Sequence, residues 1–144
     1  MRLVLQRVSQ ASVSIDGKVT GEIGRGFVAL IGCTDSDTME QAEKMAQKVA
    51  KLRVFPDADG KTNLSQQDIG GEILVISQFT LYADCAKGNR PSFTDAAPPK
   101  SAEELYRTFI ECAKGKFKKV ECGVFGASMK VELLNDGPFT VILE

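Results

Sequence analysis

Histidine is absent from the 144 residues, and so is tryptophan. Without histidine no Ser-His, Cys-His or Thr-His pair can activate a nucleophile. Any acyl chemistry must then draw on oriented backbone groups, a carboxylate, a lysine or the substrate itself. Zinc loses its usual nitrogen ligand, and Cys33, Cys85, Cys112 and Cys122 contain no C-x-x-C pair to replace it. The sequence argues against a metal site and calls for no cofactor, and reduced thiols in a cytoplasmic protein are the economical reading. No apolar run reaches membrane-spanning length, and Met1-Arg2-Leu3-Val4-Leu5-Gln6-Arg7 is too short and too charged for a secretion signal. Neither sign of charge is in excess: 18 Lys and Arg stand against 19 Asp and Glu. That balance excludes a basic nucleic-acid coat and leaves any RNA binding to a local patch.

What is present suits one globular domain over residues 1–144, with 43% hydrophobic residues to fill a core. Residues 2–8 and Ala11 to Asp16 read as strands, the second alternating with period two. Asp16-Gly17 signals a hairpin returning through Lys18 to Ile23, and Gly24-Arg25-Gly26 a second turn into a buried strand, Phe27 to Ile31. Thr38-Met39-Glu40-Gln41 matches a capping box, followed by Ala42, Met45, Ala46, Val49 and Leu52 at helical spacing. A helix over Thr38 to Leu52 follows, then a short strand through Arg53-Val54-Phe55 to Pro56. Asp57-Ala58-Asp59-Gly60-Lys61 has the look of a calcium loop but lacks its downstream glutamate, so it reads as a plain turn.

The chain is organised around Gly71 to Tyr82. The apolar run Ile73 to Ile76 reads as a strand covered on both faces. It turns polar at Ser77, Gln78 and Thr80, where a core meets its rim and pockets form. Ser77 and Phe79 should point to one side of this strand, Gln78 and Thr80 to the other. Ala83 to Lys100, with Gly88, Pro91, Pro98 and Pro99, is a long loop. Ser101-Ala102-Glu103-Glu104 is a second capping box, opening a helix with Leu105, Phe109 and Cys112 on one face and Gly115 as its stop. Lys114, Lys116, Lys118 and Lys119 form the one dense basic cluster, either a solvated helix end or an RNA contact. Val120 to Phe125 and Met129 to Leu134 read as strands, Asn135-Asp136-Gly137-Pro138 as a turn, and Phe139 to Leu143 as the last strand. About eight strands in mixed or antiparallel sheets with two main helices define a mixed α/β domain.

Two stretches invite chemistry. Ser77 to Thr80 either cap a strand end or converge hydroxyl, amide and backbone N–H groups on a carbonyl, as an oxyanion hole does. Gly137-Pro138 is either ordinary hairpin chemistry or a cis peptide whose two carbonyl oxygens aim the same way, suited to an ammonium group.

Taken together, Ser77-Gln78-Phe79-Thr80-Leu81 and Asn135-Asp136-Gly137-Pro138-Phe139-Thr140 are similar to the two signature motifs of the D-aminoacyl-tRNA deacylase family, formerly D-tyrosyl-tRNA deacylase. Leu5-Gln6-Arg7-Val8, Ala11-Ser12-Val13, Asn63-Leu64-Ser65, Gly70-Gly71-Glu72-Ile73-Leu74 and Gly88-Asn89-Arg90-Pro91-Ser92-Phe93 extend the resemblance nearly end to end. It implies an editing hydrolase that cleaves the ester between a D-amino acid and the 3′-terminal ribose of tRNA. It also implies a homodimer in which Gly137-Pro138, cis and held by Arg7, enters the partner's active site. There Phe79 would offer its main-chain N–H to the scissile carbonyl, with Ser77, Gln78 and Thr80 lining the pocket. An L side chain would strike the Gly137-Pro138 backbone, a D side chain would point to solvent, and glycine would be accepted. Thr80 as nucleophile and assistance by the ribose 2′-hydroxyl both remain open. So do two other classes, an RNA-binding module built on Lys114 to Lys119 and a small-molecule binder.

Overall fold

The computed structural model describes residues 1–144. Its backbone is organised by β1 (Arg2–Ile15), a 14-residue strand with hydrogen-bonded neighbours on both edges. On one edge β1 pairs first with β3 (Gly26–Gly32) and then, after Asp16-Gly17 reverses the chain, with β2 (Lys18–Ile23). On the other edge it pairs along its length with β8 (Lys130–Leu143). The two strands expected at 2–8 and 11–16 are therefore one strand, irregular where pairing shifts between Gln6 and Gln10. β3 then pairs parallel with β6 (Glu72–Ser77), and β6 parallel with β7 (Lys119–Cys122). The six-stranded sheet is mixed, as expected, and a hairpin of β4 (Arg53–Pro56) and β5 (Thr62–Ser65) lies apart from it.

Two helices cover one face. The first, α1 (Met39–Lys51), starts where its sequence says it must. Thr38 Oγ1 accepts from the Gln41 N–H, and Gln41 Oε1 accepts from the Thr38 N–H at 2.7 Å. Ser65 and Asp68 form an unanticipated second box that caps the one-turn α2 (Gln66–Ile69). The expected box at Ser101 is not used. The long helix α3 (Pro99–Lys114) opens three residues earlier, with Pro98 at its N-cap and the Ala102 N–H donating to Pro98 O. Proline at the first helical position has the right φ and loses no bond, so it sets the start ahead of Ser101.

Leu3, Leu5, Phe27, Ile73 and Val75 meet both helices in a core of 22 buried residues. The opposite face buries only Val8, Ala11, Val13, Ile23, Val28, Leu74 and Ile76. It is closed by the sheet curling on itself, with Lys119 Nζ donating to Glu22 O across from β7 to β2. Along its outer margin Leu30, Met129, Val131 and Leu133 are half-buried, while Leu134 and Ile142 are exposed.

The expected turn at Asn135 to Pro138 is not a hairpin. The strands on either side of it are one strand, because both halves pair with the same neighbour, β1. Asp136 to Phe139 bulge out between the Val8–Asn135 and Gln6–Thr140 pairs. Odd-numbered residues face the smaller core before the bulge and the larger one after it.

At Gly26 an added methyl would sit 1.8 Å from the carbonyl oxygen of Glu72. Gly26→Ala is expected to cost at least about 2 kcal/mol because backbone meets backbone there. Thr38→Ala should cost about 1 kcal/mol for its lost cap. Urea midpoints of the two variants check the ranking.

Candidate active site

β6 outlasts β7, which stays with it only to Val75, and is paired with β3 to its last residue, Ser77. The Gln78 N–H makes a last bond to Ile31 O at 2.7 Å. Beyond that no strand is available, and Phe79–Tyr82 coils into a 3-10 turn. The alternation expected for Ser77 to Thr80 therefore stops at Ser77. The turn packs on the end of β3, where a methyl at Gly32 would lie 3.0 Å from both Gln78 O and Leu81 Cβ. From β1, Arg2 Nη1 donates to Leu81 O at 2.7 Å and its guanidinium lies over the Tyr82 ring.

The turn opens with the N–H groups of Phe79 and Thr80, which precede its first bond, Leu81 N–H to Gln78 O at 3.2 Å, and so have no carbonyl inside the turn to accept them. Beside them, Gln78 Nε2 donates to Thr80 Oγ1 at 2.5 Å. The Phe79 side chain is 54% exposed and meets Phe93 edge to face at 5.0 Å between ring centres. Ser77 and Phe79 both line a cavity of about 620 Å³, whose other walls include Asp35, Phe93, Tyr106 and Phe125. Gln78 joins Ser77 and Phe79 on a smaller neighbouring recess.

The cavity supplies no ready nucleophile. Tyr106 is buried, its hydroxyl donating towards Val75 O (2.8 Å) and Gly123 O (3.3 Å), and burial holds its pKa far above the ordinary phenol value. Cys33, also in the wall, is held as a thiol. Burial first and the Asp37 carboxylate second push it from 9.0 up to about 11, against a smaller opposing pull from the Met1 ammonium. Asp35 is the one carboxylate on the cavity wall. No group of three or more His, Cys, Asp or Glu is placed to hold a metal ion.

The second motif lies elsewhere in the protomer. Gly137-Pro138 is cis, with Gly137 at φ 141°. Arg7, almost buried, carries it from below: Nε donates to Asp136 O (2.9 Å), Nη1 to Val54 O (2.6 Å), and the guanidinium covers the Phe139 ring at 4.8 Å. Asn135 Oδ1 accepts from the Phe139 N–H at 2.7 Å and closes the bulge. Ser77 lies opposite Ile31, Ile31 opposite Leu3, and the bulge beyond Gln6 on the far edge of β1. Three strand spacings across and about four residues along put the motifs roughly 20 Å apart. No residue from Asn135 to Phe139 lines either cavity at Ser77.

Sequence reasoning picked out Ser77, Gln78, Phe79, Thr80, Arg7, Gly137 and Pro138, but not Arg2, Asp35, Tyr106 or Phe125. Tyr106 carried a usable signal, an aromatic beside Leu105 on the buried face of a helix. Asp35 and Arg2 carried none.

A curled mixed sheet with a cavity at the carboxyl ends of its parallel strands places the chain in the mixed α/β class. The chain belongs to the D-Tyr-tRNA(Tyr) deacylase family, whose model matches residues 4–144. It is 53% identical over 144 residues to a D-aminoacyl-tRNA deacylase of Thermotoga petrophila, covering 100% of this chain and 97% of that protein. One from Rhodopirellula baltica is 54% identical over 144 residues, with 100% and 99% covered. A solved structure described as c-Myc DNA Unwinding Element Binding Protein superposes with a TM-score of 0.94 at 42% identity, covering 100% of this chain and 98% of that one. A probable eukaryotic D-amino acid tRNA deacylase shares the fold at a TM-score of 0.87 and 18% identity, with 99% and 97% covered.

The Cys33 thiol gives a pH prediction. Its folded pKa lies above the unfolded value, so its contribution to stability is complete below pH 9. It is lost as the pH rises towards 11, a change of up to about 3 kcal/mol. Denaturation of wild type and Cys33→Ala between pH 8 and 11 should show the decline flattened in the variant.

Proposed function

We propose that this member of the D-aminoacyl-tRNA deacylase family hydrolyses the ester joining a D-amino acid to the 3′-terminal ribose of tRNA, in the cytoplasm where tRNA is charged. The observation that carries the reading is a 3-10 turn whose first two N–H groups, those of Phe79 and Thr80, take no bond inside it, beside a largely apolar cavity that Phe79 lines. Such donors hold the oxyanion that forms when water adds to the ester carbonyl. The aromatic walls suit the flat base of the terminal adenosine, with Phe79 and Phe93 at the entrance.

Activation of water falls to the substrate. The Thr80 hydroxyl oxygen already accepts from Gln78, and no histidine exists to take its proton. The vicinal 2′-hydroxyl of the ribose lies beside the leaving 3′-oxygen and can relay the proton to it. Ser77 and Gln78 orient the ester; Thr80 positions rather than attacks.

Chiral selection belongs to Gly137-Pro138 of a second copy. The roughly 20 Å between motifs in one protomer supports a site completed in trans, and the half-covered apolar margin of Leu30, Met129, Val131 and Leu133 supports a homodimer. With the amino group and carbonyl both held, an L side chain overlaps the dipeptide backbone while a D side chain or glycine does not. Glycyl-tRNA is therefore a second substrate.

Paired D- and L-tyrosyl-tRNA test the reading, with cleavage of the D ester expected at least about a hundredfold faster. Comparable rates on the two would end it. For the proton path, Thr80→Ala should slow turnover less than about tenfold, and a 2′-deoxy terminal ribose at least about a hundredfold. The reverse ranking would make Thr80 the nucleophile.

A further inference from the structure

The segment between the 3-10 turn and Phe93 is a small arm with its own construction. Asp84 and Ser92 exchange two backbone hydrogen bonds, each 2.8 Å, and close its base. Asp84 Oδ1 accepts from the Ala86 N–H, and Gly88 turns the tip at φ 70°. Between Cys85 and Pro91 every residue is exposed, and the charged ones are Lys87 and Arg90. Neither has an ion-pair or hydrogen-bond partner in the chain. The nearest acids along the chain are Asp84, engaged at the base, and Asp95, beyond Phe93.

The other basic cluster is different. Lys114 is paired with Glu111, Lys116 donates to Cys112 O, and Lys119 donates to Glu22 O and faces Glu121, so only Lys118 is unengaged. Lys119 also lies opposite Glu72 at the start of β6. That is about 17 Å along the strand from Ser77.

We propose that the arm's Lys87 and Arg90 grip backbone phosphates of the single-stranded 3′ end of tRNA, next to the terminal nucleotide. This rests on the proposed reaction, which puts the terminal adenosine at Phe79 and Phe93. One end of the arm continues the turn that carries Thr80, and the other is Phe93 itself, packed on Phe79. Arg90 is three residues from Phe93, at most about 10 Å of chain. A strand leaving the cavity past Phe93 runs along two cations with nothing else to neutralise. Two charges on a short arm fit a flexible phosphate chain, which carries no sequence information at these contacts.

An uncharged acceptor minihelix ending in CCA measures the grip without any chemistry. Lys87→Ala/Arg90→Ala should weaken its binding roughly tenfold and lower the slope of log K against log salt by about 1.4, at about 0.7 per lost contact to a single strand. Lys114→Ala/Lys118→Ala should leave both unchanged. D-aminoacyl-adenosine, which has no upstream phosphates, should be cleaved by the arm variant at the wild-type rate. Unchanged minihelix binding overturns the proposal, as does a loss seen only in the Lys114/Lys118 variant. An equal loss on D-aminoacyl-adenosine also overturns it, since the arm would then act by shaping the cavity. Weaker minihelix binding in the arm variant, with no cleavage of either ester by wild type, would instead remove the proposed reaction and leave the grip standing.

Discussion

Hydrogen bonding of β1 on both of its edges is the constraint from which the molecule follows. One edge leads through β3 and β6 to the turn at Phe79, and the other holds β8 and its bulge. Two of its arginines carry the same division into side chains. Arg2 fixes the carbonyl of Leu81 beside one motif, and Arg7 fixes the carbonyl of Asp136 beside the other. In the proposed reaction main-chain atoms do the recognising at both places, so precision would come from whatever holds the backbone. A strand bonded on both sides is the stiffest support a sheet offers.

The site is correspondingly poor in conventional catalytic groups. Its thiol is kept protonated, its tyrosine is tied to two carbonyls, and its threonine accepts a bond from a neighbouring amide. What the turn itself leaves over is its first pair of N–H groups, those of Phe79 and Thr80. An ester already carries a good leaving group and, on ribose, a neighbouring hydroxyl. For such a substrate, fixed dipoles in a partly dry cavity can supply most of the acceleration that a base would supply elsewhere.

Much of this was legible in the sequence because the local rules agreed with one another. The Thr38 box, the Asp16-Gly17 hairpin and the apolar run at Ile73 each formed where their residues require. The misreadings came where tertiary partners decided. Asn135 to Pro138 has hairpin chemistry, yet β1 pairs with both flanking halves, so the chain bulges where it was expected to reverse. Phe79 and Thr80 looked extended, but the ladders of β3 and β7 had already ended. Ser101 has the residues of a cap, and Pro99 set the start first. The motif residues stand out in the sequence; Asp35 and Arg2 do not, because nothing along the chain records what packs over the end of β6.

Two of the connections that form the cavity leave from the carboxyl ends of the parallel pair β3 and β6, through Cys33 and Asp35 on one side and Phe79 and Phe93 on the other. The ladder beneath ends at Ser77 and takes no part in their contours. Lengthening or recomposing either loop can therefore reshape what enters without disturbing the pairing that supports it. Variation in ligand preference among proteins built on this scaffold should accumulate in those two segments, above a floor that does not change.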